Sequence, residues 1–242
     1  LIVTSATYRQ SSRTTPALLS RDPENRLLAR GPRHRLDAEV IRDNALALSG
    51  LLVERIGGPS VYPYHPKGLW MELNNRPNYS RTYKQDTGDK LYRRSLYTYW
   101  KRTVPPPSMA TFDAPEREFC LVRRSRTNTP LQAFVMLHDP QFVEAARHLA
   151  KHMMNASKNP KEQLEHGFRL TTSRLPNEKE KTVLSRLFKE RLAFYKKEPE
   201  AAKTLLSVGE SKQQGDLSEA EHAAWITVAR ALLNLSETIT KN

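Results

Sequence analysis

The sequence predicts a mainly α protein, a multi-helix domain with a loop-rich middle and room there for a small antiparallel β element. Three observations predict it. From position 130 onward, capping residues followed by proline or glutamate open one periodic segment after another. An earlier segment repeats Ala38, Ile41, Ala45, Leu48 and Leu52 at helical spacing behind Asp37. Between them, residues 59–90 are rich in Pro, Gly, Asn and Tyr, the composition of loop. The 242 residues divide into a helical part, 1–58, a loop-rich part with short strands allowed, 59–128, and a helical part, 129–242, within one domain-sized chain.

In chain order, residues 1–12 read as the end of a helix or a buried segment. Asp22-Pro23 starts a short helix ending near Gly31, and the helix capped by Asp37 runs until Gly57-Gly58-Pro59 stops it. Leu91–Trp100 fits two readings: Tyr92, Leu96, Tyr99 and Trp100 share one helix face, but its aromatic and β-branched content favours a strand, with Phe119–Arg123 able to pair with it. Thr129 suits an N-cap, Pro130 the first helical position and Gln132 the capping-box position. Asp139-Pro140 opens a helix to about Met154 and Asn159-Pro160 another. Asn177 with Glu180 opens one to about Lys197, and Ser218 with Glu221 the last, with Ala224, Val228, Ala231 and Leu235 as its stripe. Residues 209–217 read as a flexible polar loop.

Composition narrows the function. A net charge of +13, from 39 basic against 26 acidic residues, favours acidic partners: nucleic acid, sulfated or carboxylated glycan, or an acidic neighbouring domain. The same charge spread over the chain also serves as a solubilising surface. One cysteine, Cys120, excludes an internal disulfide and any CxxC or CxxCH motif. No apolar run approaches a membrane span. The chain opens at Leu1 without methionine and reads as a piece of a longer protein. No P-loop, dinucleotide fingerprint, nucleophile elbow or zinc-finger spacing is present.

The stretch FDAPEREFCLVRRSRTNTPLQA, 112–133, together with LIVTSATYRQSS at 1–12, RLLARGPRHRLDAEVIRDNALALSGLL at 26–52, LYRRSLYTYWKRTVPPPSMATFDAP at 91–115 and ARALLNLSETI at 229–239, resembles the C-terminal domain of unknown function of planctomycete-type cytochrome-c-like surface proteins. Two places depart from that pattern: His138 stands before Asp139-Pro140 where Asn is expected, and 196–216 matches nothing in it. The resemblance implies a last module of a secreted, periplasmic or cell-surface chain. Its upstream partners would be a haem c segment, an adjoining domain and sometimes a lectin-like sandwich, with no cofactor in this chain.

Three constellations carry candidate chemistry. Arg33, Arg35, Asp37, Glu39, Arg42 and Asp43 form either a salt-bridged helix start or a set in which Arg42 and Asp43 reach inward to organise the loops. Asp113, Glu118 and Arg126 are the candidates for acid–base catalysis, and Arg123, Arg124, Arg126, Asn128 and Thr129 for binding an anion through guanidinium forks and a helix N-terminus. Glu144, His148 and His152 share one helix face at i, i+4, i+8 and are the metal candidates, although the segment lacks the glutamate of a zincin helix, Arg147 and Lys151 disfavour a cation, and a solvated face explains the spacing.

Cys120, between Phe119 and Leu121, reads as a buried small residue. The aromatics Tyr62, Tyr64, Trp70, Tyr79, Tyr83, Tyr97, Tyr99 and Trp100 read first as pins holding long loops to the core, and second as platforms for sugars or single-stranded nucleic acid. The leading expectation is an accessory or interaction domain that packs against its upstream domains and binds acidic or sulfated polysaccharide. The alternatives are part of a hydrolase or redox site completed by those domains, and nucleic-acid binding, which rests on charge alone.

Overall fold

A computed structural model describes residues 1–73, 81–212 and 217–241. In chain order the elements are α1 (Pro16–Arg21), β1 (His34–Arg35), α2 (Ala38–Leu48), α3 (Leu69–Glu72), α4 (Pro107–Thr111), α5 (Pro130–His138), α6 (Pro140–Ala156), α7 (Pro160–Thr172), α8 (Glu178–Lys197), α9 (Pro199–Leu206), α10 (Glu219–Leu233), α11 (Ser236–Ile239) and β2 (Thr240–Lys241). The protein is mainly α with a small antiparallel element, as the sequence predicts. The β element lies elsewhere: β1 pairs with β2, His34 opposite Lys241 and Arg35 opposite Thr240, joining the two ends of the chain.

The helix starts follow local chemistry. Proline stands in the first turn of α1, α4, α5, α6, α7 and α9, where its missing N–H leaves nothing unpaired. Asp139 accepts from the Gln141 amide, Asn159 from that of Lys161, and Asn177 and Glu180 close a full capping box. Thr129 caps α5 from the extended region its proline imposes, and its N–H is accepted by Gln132 Oε1.

The core forms where α10 packs against α6 and α8, with α7 and α9 beside it. Small residues on the facing surfaces, Ala145, Ala146 and Ala150 against Ala223, Ala224 and Ala229, are fully buried and let the axes approach. Trp225 fills the centre and stacks on Phe188 at 4.2 Å. Gly167 on α7 has no room for a side chain, since a Cβ there would lie 2.6 Å from Met153 Sδ. Of the expected stripe of α10, Ala224 and Val228 are fully buried, Ala231 is half-buried and Leu235 lies past the end of the helix, while Trp225, Ile226 and Ala229 are as buried as Ala224.

Several local expectations are corrected. Leu91–Trp100 is not a strand but two 3-10 turns, Gly88–Tyr92 and Ser95–Tyr97. The carbonyls of Leu91 and Arg93, which a neighbouring strand would need, accept from the buried Arg42 guanidinium instead. Phe119–Arg123 pairs with no strand among the described residues and lies exposed, so its β propensity finds no sheet edge there, and Cys120 is an exposed free thiol. The first helix precedes Asp22: Thr15-Pro16 opens it, and Asp22 ends it by accepting the amides of Arg26 and Leu27. Residues 1–12 contain only a 3-10 turn, Ile2–Thr4. Helix α2 stops at Leu48, before Gly50 turns the chain at φ +70°, so Leu52 is not part of it. Within 196–216, α9 buries Ala202 and Leu206. Gly209–Ser211 is pinned to the core, while 213–216 lies outside the described residues.

Candidate anion-binding groove

The β1–β2 ribbon, the chain at 123–129, the start of α5 and the end of α10 enclose a groove of about 610 Å³. Its base is set by Arg35. That guanidinium donates to the carbonyls of Thr127 (3.2 Å) and Phe112 (3.2 Å) and to Asp113 Oδ2 (2.5 Å), so its donors are spent within the fold. Asp113 also accepts the Thr127 N–H at 2.8 Å and its hydroxyl at 3.0 and 2.9 Å. These bonds close a loop, 114–126, at its neck and aim the chain that follows into the groove.

Arg33, Arg123 and Arg126 line the groove, are exposed, and have no hydrogen-bond or ion-pair partner among the described residues. Asn128, Thr129, Asn234, Ser236 and Thr240 add amides and hydroxyls to its walls. His34 records the local field. Burial pushes its pKa below the ordinary value, and the charges of Arg126 and Lys241 push it further the same way. Helix α5 contributes little as an anion donor, because Pro130 has no N–H, the Thr129 amide goes to Gln132 and the Gln132 amide to the Thr129 carbonyl. The free donors that face this groove belong mainly to the guanidinium groups.

Of the five predicted anion-binding residues, Arg123, Arg126, Asn128 and Thr129 meet in this groove. Arg124 turns away and takes Glu39 bidentately at 2.7 and 3.1 Å, with Asp37 at 3.6 Å. Of the acid–base candidates, Asp113 and Glu118 share one depression and Arg126 lies outside it. Asp113 serves the loop neck, exposed Glu118 lines a shallow depression of about 320 Å³ with it, and Arg126 belongs to the groove.

The metal candidates run from core to solvent instead of along a solvated face. Glu144 is fully buried, His148 half-buried and His152 exposed. Glu144 accepts from Tyr64 Oη (2.8 Å), Tyr92 Oη (3.0 Å), and the Ser211 amide (2.8 Å) and hydroxyl (2.6 Å), with Arg147 at 3.4 Å. His148 Nε2 lies 2.7 Å from Ser211 Oγ, and His152 Nε2 3.1 Å from the Ser49 carbonyl oxygen. No group of three or more His, Cys, Asp or Glu able to hold a metal occurs among the described residues. Burial, reinforced by Arg147, pushes His148 down to about 4, and burial with Glu144 pushes Tyr92 up to about 12 and Tyr64 well above its usual range. The site is a polar socket, its carboxylate fully engaged, that holds Gly209–Ser211 against α6. Gly209, at φ +96°, has no room for a Cβ, which would sit 2.3 Å from Glu144 Cδ.

The second reading of the Arg42 constellation holds together with the first. Arg42, 2% exposed, donates to Gln141 Oε1 at 2.6 Å, to the carbonyls of Arg93 and Leu91 at 2.7 Å, and to Ser95 Oγ at 3.2 Å. Asp43 accepts the Ser95 amide and hydroxyl, both at 2.7 Å. Sequence reasoning missed Arg93, whose guanidinium is buried beside the Tyr97 ring and donates to the carbonyls of Arg55 and Gly57. It named Glu144 only as a metal candidate on an otherwise solvated face and missed its burial, whose one signal was a carboxylate inside an apolar run, Phe142-Val143-Glu144-Ala145-Ala146. The aromatics of the middle turn inward: Tyr62 stacks on Tyr99 at 4.7 Å, and Trp70 meets Tyr83 edge-on at 5.0 Å. Tyr79 lies outside the described residues.

No curated protein and no solved structure matches the chain. No helix among the described residues is long and apolar enough to cross a membrane. A family model described as PSD1, protein of unknown function (DUF1553), matches residues 1–188, most of the chain, and the protein belongs to that family.

Proposed function

We propose that this domain is an accessory interaction module whose basic groove binds an acidic or sulfated polysaccharide. The observation that carries the reading is the set of three arginines, Arg33, Arg123 and Arg126, facing one groove with no hydrogen bond or ion pair to a carboxylate among the described residues. Unpaired guanidiniums converging on one concave surface suit sulfate or carboxylate groups spaced along a polymer. The hydroxyl and amide side chains between them suit sugar hydroxyls. Single-stranded nucleic acid fits less well, because apart from His34 the groove wall carries no ring on which a base could stack. In the secreted, cytochrome-c-like setting that the sequence resemblance implies, the domain would lie beside upstream modules that carry the haem. The hydrolase reading finds less support, since Asp113 is already committed to Arg35 and Thr127.

The test is affinity electrophoresis and calorimetry with heparin and polygalacturonate at low salt. Binding should weaken as salt rises, and Arg123→Ala and Arg126→Ala should each cost about tenfold in affinity without changing the unfolding midpoint. Absence of retardation by either polymer would remove the proposal, and tighter binding of single-stranded DNA than of both would replace it with nucleic-acid recognition.

A further inference from the structure

The loop 114–126, closed at its neck by Asp113 and Thr127, presents an apolar tip that nothing in the described structure covers. Phe119 is 67% exposed, Leu121 47% and Val122 107%, and Cys120 between them is exposed as well. Four consecutive side chains without charge thus stand in water at one end of a pinned loop. The residues around them are basic. Arg117 precedes the tip, its guanidinium over the Trp100 ring at 4.6 Å, and Arg123, Arg124 and Arg126 follow it, against Glu116 and Glu118 on the first limb. Arg124 is held by Glu39, while Arg123 and Arg126 remain unpaired among the described residues.

From this we infer that the loop docks the domain on an anionic lipid surface, with Phe119, Leu121 and Val122 entering the interfacial layer and Arg123 and Arg126 resting on acidic headgroups. Three features favour a bilayer over a pocket in another protein. Val122 is as exposed as a side chain in an extended peptide and forms the outermost point of the tip, while Phe119 and Leu121 flank only a shallow, charge-rimmed depression with Arg117 and Glu118. Apolar groups at the tip with cations directly behind them match the order in which a chain meets acyl region and headgroups. The net charge of +13 attracts the whole molecule to an acidic surface before the tip makes contact. The neck, fixed by Arg35, Asp113 and Thr127, keeps the tip from folding back onto the domain. The inference shares Arg123 and Arg126 with the groove but not its apolar contacts: Phe119, Leu121 and Val122 do not line the groove.

Cys120 is the one cysteine of the chain, so an environment-sensitive fluorophore can be attached at the tip without any substitution. On vesicles of phosphatidylcholine mixed with phosphatidylglycerol at low salt, the labelled protein should co-sediment. Its emission should shift to the blue and be quenched by spin-labelled lipid, and phosphatidylcholine alone should give none of this. Val122→Asp, at a side chain without neighbours, should lower partition onto the acidic vesicles roughly tenfold while leaving the far-UV spectrum unchanged. Failure to sediment with acidic vesicles would overturn the inference and point to a protein partner. So would sedimentation without a change at Cys120, which would be adsorption through the groove, or an unaltered partition of Val122→Asp.

Discussion

Replacing Arg42 with methionine tests how the loop-rich middle is held. The substitution keeps most of the volume and removes every donor. Three acceptors at 2.6–2.7 Å lose their partner: Gln141 Oε1 and the carbonyls of Leu91 and Arg93. Orphaning three buried acceptors costs about 6 kcal/mol at the middle of the usual range. Part of that is offset, because the charge is itself expensive to bury. Burial, only partly countered by Asp43 and Asp139, pulls the Arg42 pKa from 12.5 to about 10, which corresponds to roughly 3 kcal/mol of relief when the charge is removed. The net expectation is a loss of about 3 kcal/mol. Arg42→Lys should fare little better, since an ammonium cannot span the fork of acceptors. Urea unfolding followed by circular dichroism reads the change as a lower midpoint at constant slope. A loss below about 1 kcal/mol, or a gain, would show that the network is dispensable and that apolar filling serves as well, as it does for some buried ion pairs.

Acid should expose the second buried polar centre. The folded pKa of His148 is pushed down to about 4 from 6.5, so between those values the unfolded chain binds a proton that the folded one does not. Stability is therefore complete above about pH 6.5 and declines as pH falls toward 4, by about 2 kcal/mol for this group once its partial exposure is discounted. His148→Gln should flatten that limb in a pH series of melting curves, and an unchanged slope would assign it to other groups, His222 and His34 among them, which are shifted the same way. The family match ends at 188, but α10, which puts Trp225 at the centre of the core, lies beyond it. A chain ending at 188 should show no cooperative unfolding, and Trp225→Ala in the full chain should cost about 4 kcal/mol. A sharp transition in the shortened chain would refute this.

Helix starts were legible because each is decided within about four residues. A cap side chain, a proline with no N–H to lose and an N3 carboxylate or amide act on backbone groups close by, and no distant contact is needed to place α5, α6, α7 and α8. The same local logic placed Arg123, Arg126, Asn128 and Thr129 side by side, since they are neighbours in the chain. The sequence by itself thus determined the helical class, the net charge and the cluster of arginines before α5.

Partner choice across the chain was decided only in three dimensions. Leu91–Trp100 has a strand's composition, yet its carbonyls go to a guanidinium some fifty residues away, and no propensity scale registers that competitor. Cys120 looked apolar and therefore buried, but burial needs a covering surface, and the closed loop neck holds it outside. Glu144 looked like a surface residue, but Tyr64 and Ser211 arrive from either side in sequence to satisfy it in the core. Arg35 and Arg124 belong to the same basic sequence pattern as the groove arginines, yet carboxylates brought up by folding neutralise them, while Arg33, Arg123 and Arg126 are left facing solvent. Which arginines remain free to bind is a property of long-range packing, because the carboxylates that occupy the others lie more than seventy residues away in the chain.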